Sequence, residues 1–254
     1  MTLDASALLL TSLIAAPFVG SFLAVVALRL PRQESMVSGR SRCDICGQTL
    51  KARELIPLVS FAVLLGKCRL CAGRIDRLHP LLESAAIGVA AWAACVVTGW
   101  ILIASCVLGW TLLLLAAIDW RTGLLPNILT LPLLVVGLAV TAAIDWASVI
   151  DHTIGAVVGF VAFAVVSEVY RRVRRRDGLG LGDAKLLAAA GAWLSWTALP
   201  SVVLLAACIA LISVLIQRLQ GREIHATDRI TFGPALAGAM WLVWLYGPIV
   251  PGWL

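Results

Sequence analysis

Eight long apolar segments run through this chain and constrain its fold more than any other feature. A hydrocarbon core about 30 Å thick takes about 20 helical residues to cross. On that ruler the expected spans are 5–29, 81–98, 100–118, 124–144, 152–170, 184–199, 201–218 and 231–252. Hydrophobic residues make up 61% of the chain and charged ones 13%, well outside the range of water-soluble domains. The expected fold class is therefore an all-α polytopic membrane protein with about eight transmembrane helices. Gly and Pro break the helices at Thr98-Gly99 and Leu199-Pro200-Ser201, where tight hairpins join neighbouring spans. Ten tryptophans suit interfacial belts.

The charges then set an orientation. Ten Lys and Arg lie between Arg29 and Arg77, one is Arg121, five run from Arg171 to Arg176, and Lys185, Arg218, Arg222 and Arg229 complete the twenty. All fall on one side of an eight-span arrangement, while the opposite loops carry Asp4, Asp145 and Asp151 and no basic residue. Under the positive-inside rule both termini face outward and 31–79 forms a cytoplasmic loop. The net charge of +6 thus reads as topology, and nucleic acid is not an expected partner. Membrane lipids are. The Arg171 to Arg176 run reads as an anchor at an anionic leaflet, with substrate contact as the alternative. The first span, 1–30 with its flanks, is too long and lacks the small-residue cleavage site of a removable signal peptide, so it is expected to be retained.

Within the 31–79 loop, Cys43-x-x-Cys46 and Cys68-x-x-Cys71 are separated by 21 residues. Two such pairs supply the four thiolates of a closed, structural zinc site. Disulfides, unligated thiols or a redox role compete with that reading, although a loop this basic belongs in the reducing cytoplasm. About fifty residues build little core of their own, so metal would supply much of the loop's folding free energy. Cys95, Cys106 and Cys208 lie in apolar spans and read as packing residues. His79 reads as an interfacial side chain, since four cysteines already satisfy zinc.

Gly20 and Ser21 inside the first span let another helix approach closely, and Arg29 and Pro31 end it at the interface. Glu83, one turn into the second span, reads first as a residue that starts that helix beside Pro80.

The stretch Gly178-Leu179-Gly180-Leu181-Gly182-Asp183-Ala184-Lys185 puts a carboxylate behind three alternating glycines where an apolar helix begins. Glycines allow close backbone approach and tolerate positive φ. A carboxylate at a bilayer boundary is costly unless it is used; the plainer reading is a helix N-terminal cap. Asp119 ends the third span as Asp183 opens another, so both sit at one cytoplasmic depth. An ion pair with Arg121 is disfavoured, because residues two apart on a helix point to different faces. Two converging aspartates can activate water, one as base while the other, kept neutral by its neighbour's charge, donates to a carbonyl. They equally suit proton-coupled transport.

Taken together the residues resemble the bacterial type IV prepilin peptidases, membrane aspartic proteases of the Gly-x-Gly-Asp kind. The resemblance runs through Gly20-Ser21-Phe22-Leu23, Arg29-Leu30-Pro31, both cysteine pairs with Gly66-Lys67-Cys68-Arg69, and Pro80-Leu81-Leu82-Glu83. It continues through Asp119, Leu125-Pro126-Asn127, Leu129-Thr130-Leu131-Pro132, Gly180-Leu181-Gly182-Asp183-Ala184-Lys185 and Phe232-Gly233-Pro234. It implies that Asp119 and Asp183 are the catalytic pair, supported by Gly180, Gly182 and Lys185. It also implies that Cys43, Cys46, Cys68 and Cys71 bind structural zinc, and that 80–254 is the peptidase core. The implied substrates are type IV prepilins or type II secretion pseudopilins, cut at the cytoplasmic face of the bacterial inner membrane, usually after a glycine. Methylation of the new N-terminus with S-adenosylmethionine is implied as a second activity, in a region holding Gly66 and Glu83. Two departures touch that activity: Ala24 stands where the family usually has Asn, and Glu54-Leu55 stand where it has an Asp-Asn pair. Lys185 is placed to neutralise an oxyanion or orient an acidic substrate residue, or equally to contact lipid. A proton-coupled carrier and a pilus-assembly scaffold are the rival functions, although no inverted repeat supports the carrier. The oligomeric state is left open.

Overall fold

The structure is a computed structural model and describes residues 5–34, 41–43, 45–175, 180–221 and 231–249. Among the described residues no strand forms; only the isolated bridges Arg42 to Thr49 and Lys67 to Arg74 interrupt an all-helical chain. The α-helices in order are α1 (Ala5–Arg29), α2 (Val59–Val63), α3 (Leu78–Val96), α4 (Trp100–Thr122) and α5 (Asn127–Ile144). After them come α6 (Val149–Arg174), α7 (Leu181–Leu194), α8 (Leu199–Leu219) and α9 (Gly233–Tyr246).

Each expected span forms a helix, and six helical segments are long and apolar enough to cross a membrane: Ser6–Arg32, Leu78–Val96, Trp100–Thr122, Asn127–Ile144, Trp146–Val173 and Trp196–Leu219. The other two differ from expectation. Helices α7 and α9 have 14 residues each, about 21 Å, less than the roughly 30 Å of a hydrocarbon core. Helix α7 stops because Ser195 adopts a left-handed φ of 72°, and α9 stops at Gly247 with φ 83°. Both are mostly buried by the protein itself, so their shortness exposes little backbone to lipid. Trp100, Trp120, Trp146 and Trp196 lie exposed at or beside helix ends, as interfacial aromatics do.

The chain divides into two compact units, 1–114 and 115–254, with the boundary inside α4. In the first unit α1 packs on α3 through Gly20, where a Cβ would lie 2.6 Å from both Glu83 Cα and Leu82 O. That close approach is the role expected of Gly20.

In the second unit α7 is held on two sides. Gly155 and Gly159 form a small-xxx-small face on α6; a Cβ at Gly159 would lie 2.6 Å from Leu187 O, and one at Gly191 would lie 2.2 Å from Gly155 C. On the α5 side the Trp193 indole occupies the space above Gly137 and donates to Leu133 O over 2.9 Å. His152 Nδ1 lies 3.0 Å from Ala192 O and 3.1 Å from Thr141 Oγ1, which ties α5, α6 and α7 together. With little hydrophobic force between helices in lipid, such close packing and hydrogen bonds hold α7 between α5 and α6.

Candidate active site and metal centre

Asp119 sits in the last turn of α4 and Asp183 in the first turn of α7, and both are buried, at 5% and 8% exposure. The Gly233 N–H, at the start of α9, donates to Asp119 Oδ2 over 3.1 Å. The Gly180 N–H donates to Asp183 Oδ2 over 3.2 Å. The two carboxylates are close enough to interact electrostatically. Three helices thus converge to give two adjacent acids, each held through one oxygen by a backbone N–H.

Asp183 caps the start of α7 through one oxygen, and its carboxylate stays within electrostatic reach of Asp119. The reason for glycine differs from expectation. Gly180 is extended with φ −75°, so no positive φ is needed there. Gly182 is set by contact, because a Cβ would lie 2.8 Å from Leu125 Cβ. Gly178 lies outside the described residues. Lys185 Nζ donates to Asn127 Oδ1 over 2.6 Å, tying the first turn of α7 to that of α5. Arg171 and Arg172 pair with Glu168, the latter over 2.7 Å, on an exposed helix end. The side chain of Arg174, and Arg176, lie outside the described residues.

The four loop cysteines converge in the first unit: their sulfurs all lie within 4.8 Å of one another, and Cys43 and Cys71 Sγ are 3.8 Å apart. A tetrahedron with metal–sulfur bonds of about 2.3 Å separates its sulfurs by about 3.8 Å, so these residues fit a metal ion. None of the seven cysteines is in a disulfide. The two pairs are built alike. Cys43 N–H donates to Gln48 O and Cys68 N–H to Gly73 O, over 2.9 and 2.8 Å; Gly47 and Ala72, both at positive φ, donate back to Cys43 and Cys68 carbonyls.

The N–H groups of Cys71 and then Leu70 pull the Cys68 thiol down to about 7. Cys71 goes the other way: its Gly73 N–H lowers it, but burial and the other thiols push it up to about 11. At Cys68 two backbone donors face one sulfur. Glu54 spans the pairs, accepting from Lys51 N–H at 2.7 Å and meeting Arg69 Nε at 2.8 Å. The Lys51 N–H, with help from the Arg69 guanidinium, holds its carboxyl below the usual carboxylate range. Cys106 is buried as expected of a packing residue, whereas Cys95 and Cys208 are exposed on their helices.

Glu83 departs from its expected role. It is buried to 5% exposure and its Oε2 accepts from Leu58 N–H over 2.8 Å, so it holds the start of α2 rather than starting α3. Leu58 takes φ 59° and ψ −45°, and Val59 N–H reaches Pro57 O over 2.6 Å, a strained γ-turn of the rarer hand. Gly66, at φ 68°, closes the far end of the same hairpin, where a Cβ would lie 2.9 Å from Phe61 Cζ. A cavity of about 160 Å³ lies among these parts, lined by Ser21, Arg29, Glu54, Phe61, His79 and Glu83 among others. Two site features went unassigned by sequence reasoning: the Gly233 donor, whose only signal was Gly233-Pro234 before an apolar run, and the bond from Leu58 to Glu83, which had none.

Residues 106–215 match the type IV leader peptidase family, and residues 14–97 match the bacterial peptidase A24 N-terminal domain. The prepilin leader peptidase/N-methyltransferase of Pseudomonas aeruginosa is 35% identical over 276 residues, covering 95% of this chain and 91% of that protein. The protein of the same description from Aeromonas salmonicida (strain A449) is 34% identical over 261 residues, 92% and 89% of the two chains. That from Burkholderia pseudomallei (strain K96243) is 39% identical over 209 residues, 82% and 67%. No solved structure matches. Both halves of the chain match and the Pseudomonas and Aeromonas relatives align nearly end to end, so this chain belongs to the type IV leader peptidase family.

Proposed function

We propose that this protein is an aspartic endopeptidase that removes the basic leader of type IV prepilins or type II secretion pseudopilins at the cytoplasmic face of the bacterial inner membrane. The observation that carries the reading is the pair of buried carboxylates, Asp119 and Asp183, each oriented by one backbone N–H and near enough for the charge of one to act on the other. One ionised carboxylate removes a proton from water as the oxygen attacks the scissile carbonyl, and the protonated partner donates to the carbonyl oxygen. The tetrahedral intermediate then collapses, the C–N bond breaks, and the leaving amine takes a proton back from the pair. Support comes from Gly180 and Gly182, which shape the start of α7, and from Lys185, which fixes it to α5.

The chain crosses the membrane eight times in this reading, with the short α7 and α9 as spans and both termini periplasmic. Residues 1–30 form the first span, 31–79 the zinc-binding loop and 80–254 the peptidase core. Zinc is the ion for Cys43, Cys46, Cys68 and Cys71, and its role is structural because four thiolates leave no open position.

Methylation of the new N-terminus belongs to the cavity of the first unit, near Gly66 and Glu83. S-adenosylmethionine, when bound, supplies the methyl group as a sulfonium electrophile. The cavity residues fit such a ligand: Glu54 and Glu83 suit its positive charges, Arg29 its carboxylate and Phe61 its adenine ring. Incubating the purified protein with a prepilin and measuring the intact mass of the product tests the proposal. Loss of the leader mass is expected, with one added methyl group when S-adenosylmethionine is present. An unchanged prepilin mass would reject the peptidase reading, and cleavage without the methyl increment would reject only the second activity.

A further inference from the structure

The 31–79 loop is basic, yet Leu55-Ile56-Pro57-Leu58-Val59-Ser60-Phe61-Ala62-Val63-Leu64-Leu65-Gly66 contains no charged residue. An apolar run of this length is too short to span a bilayer and typifies buried, interfacial or re-entrant segments. Burial inside the protein is excluded for one side of it: Val63 and Leu65 are 75% and 84% exposed, and Leu55, Ile56 and Val59 are exposed with them.

Its depth is fixed by one bond. Leu58 N–H meets Glu83, which lies five residues past the start of α3 at Leu78, about 7.5 Å along the helix axis. Glu83 in turn abuts Gly20, nine residues before the end of α1 at Arg29, about 13 Å along that axis. Helices α1 and α3 both belong to segments long and apolar enough to span. The turn into α2 therefore lies alongside their membrane-embedded portions, below the Arg29 level. The same helix pair leaves Phe18, Phe22 and Leu81 exposed as well.

The backbone is prepared for such a setting. A segment entering hydrocarbon must satisfy its own polar groups. The N–H groups of Leu58, Val59 and Ser60 find Glu83, Pro57 O and Ile56 O, and those of residues 64–67 find carbonyls within the hairpin. Arg53 before it and Lys67 after it are exposed basic residues of the kind that sit at the headgroups.

We propose that residues 55–65 form a re-entrant hairpin that inserts its Val59, Val63 and Leu65 face into the acyl region of the bilayer. The inward face, with Ser60, Phe61 and Leu64, lines the 160 Å³ cavity, so one turn of helix separates the cavity's contents from lipid. The inference rests on the hairpin geometry and not on what occupies the cavity.

The test uses the full, metal-loaded chain in lipid nanodiscs, with a genetically encoded spin label at Val63 and, separately, at Leu65, leaving the metal-binding thiols unmodified. Power saturation with oxygen, which partitions into lipid, and with a water-soluble nickel chelate reads the environment. Val135, exposed on α5, is the lipid reference and Lys51 the aqueous one. The oxygen-to-nickel accessibility ratio at both hairpin sites should exceed that at Lys51 several-fold and approach that at Val135. Nickel accessibility equal to that of Lys51 at both sites would overturn the proposal, and so would protection from both reagents, which would mean that protein covers the face. Metal content equal to that of the unlabelled chain identifies the labelled variants whose lobe is folded; each site is an independent reading if the other fails.

Discussion

Gly233 and Asp119, 114 residues apart, are joined by a 3.1 Å hydrogen bond from the glycine N–H to Oδ2, and a Cβ on Gly233 would lie 2.6 Å from that same oxygen. The glycine therefore donates to the acid and also leaves room for it. Gly233→Ala should push the carboxylate aside and lower cleavage by about 100-fold, the order expected for a misplacement of about 1 Å. Folding and metal content should hold. Initial rates on a prepilin in lipid check this; a wild-type rate would mean that the Asp119 position is not critical.

Asp119→Asn and Asp183→Asn should each abolish cleavage without unfolding, since an amide keeps the size of the side chain and can still accept the backbone N–H. The double variant should be no slower than either single one, because the pair acts as a unit. Cleavage should follow a bell-shaped pH profile: with both acids protonated no base remains, and with both ionised no donor remains. The limbs belong to the pair. Lys185→Ala should be milder, as Lys185 acts through Asn127 on the position of α7. Retained activity in either Asn variant, or a profile with one limb, would break the dyad assignment.

Metal analysis of the reduced protein should find one zinc per chain. Cys43→Ser should lose it and make the loop sensitive to protease, as the ion supplies the folding free energy of a segment with little core. The Glu54 carboxyl, held low by Lys51 N–H and Arg69, contributes its link above its unfolded pKa and loses it as pH falls through the lowered folded value. Acidification should thus weaken the link that Glu54 makes between Lys51 and Arg69. Stoichiometric zinc in Cys43→Ser would contradict the four-thiolate site.

Gly191→Ala should destabilise the second unit by about 1 to 3 kcal/mol, the usual cost of overpacking. A Cβ there would lie 2.2 Å from the backbone of Gly155, which cannot rotate away. Denaturation in mixed micelles would measure it, and unchanged stability would mean that α6 and α7 separate freely.

Both termini should lie in the periplasm. A reporter that fluoresces only in the cytoplasm, fused to the C-terminus, should stay dark; fluorescence there would rule out the eight-pass arrangement.

What the amino-acid sequence determined by itself was whatever depends on composition and local spacing. Apolar length marks α1, α3, α4, α5, α6 and α8, because a bilayer sets one length scale for every span. Cys43-x-x-Cys46 and Cys68-x-x-Cys71 announce a metal site because each knuckle is a local turn. Asp119 and Asp183 stand out because acids are rare at the ends of apolar segments.

Tertiary structure decided what depends on partners distant in the chain. Helices α7 and α9 end at the positive-φ residues Ser195 and Gly247, and burial by the rest of the protein is what makes such short helices tolerable. Glu83 holds the turn at Leu58, 25 residues earlier, and Gly233 reaches Asp119; neither contact leaves a periodic trace in the chain. The glycines of the 180–182 stretch show the same division: their presence was plain, but only the nearness of Leu125 explains why Gly182 has no side chain. Backbone conformation is written locally, whereas close approach is a property of two surfaces, and the second surface is visible only once the helices are packed.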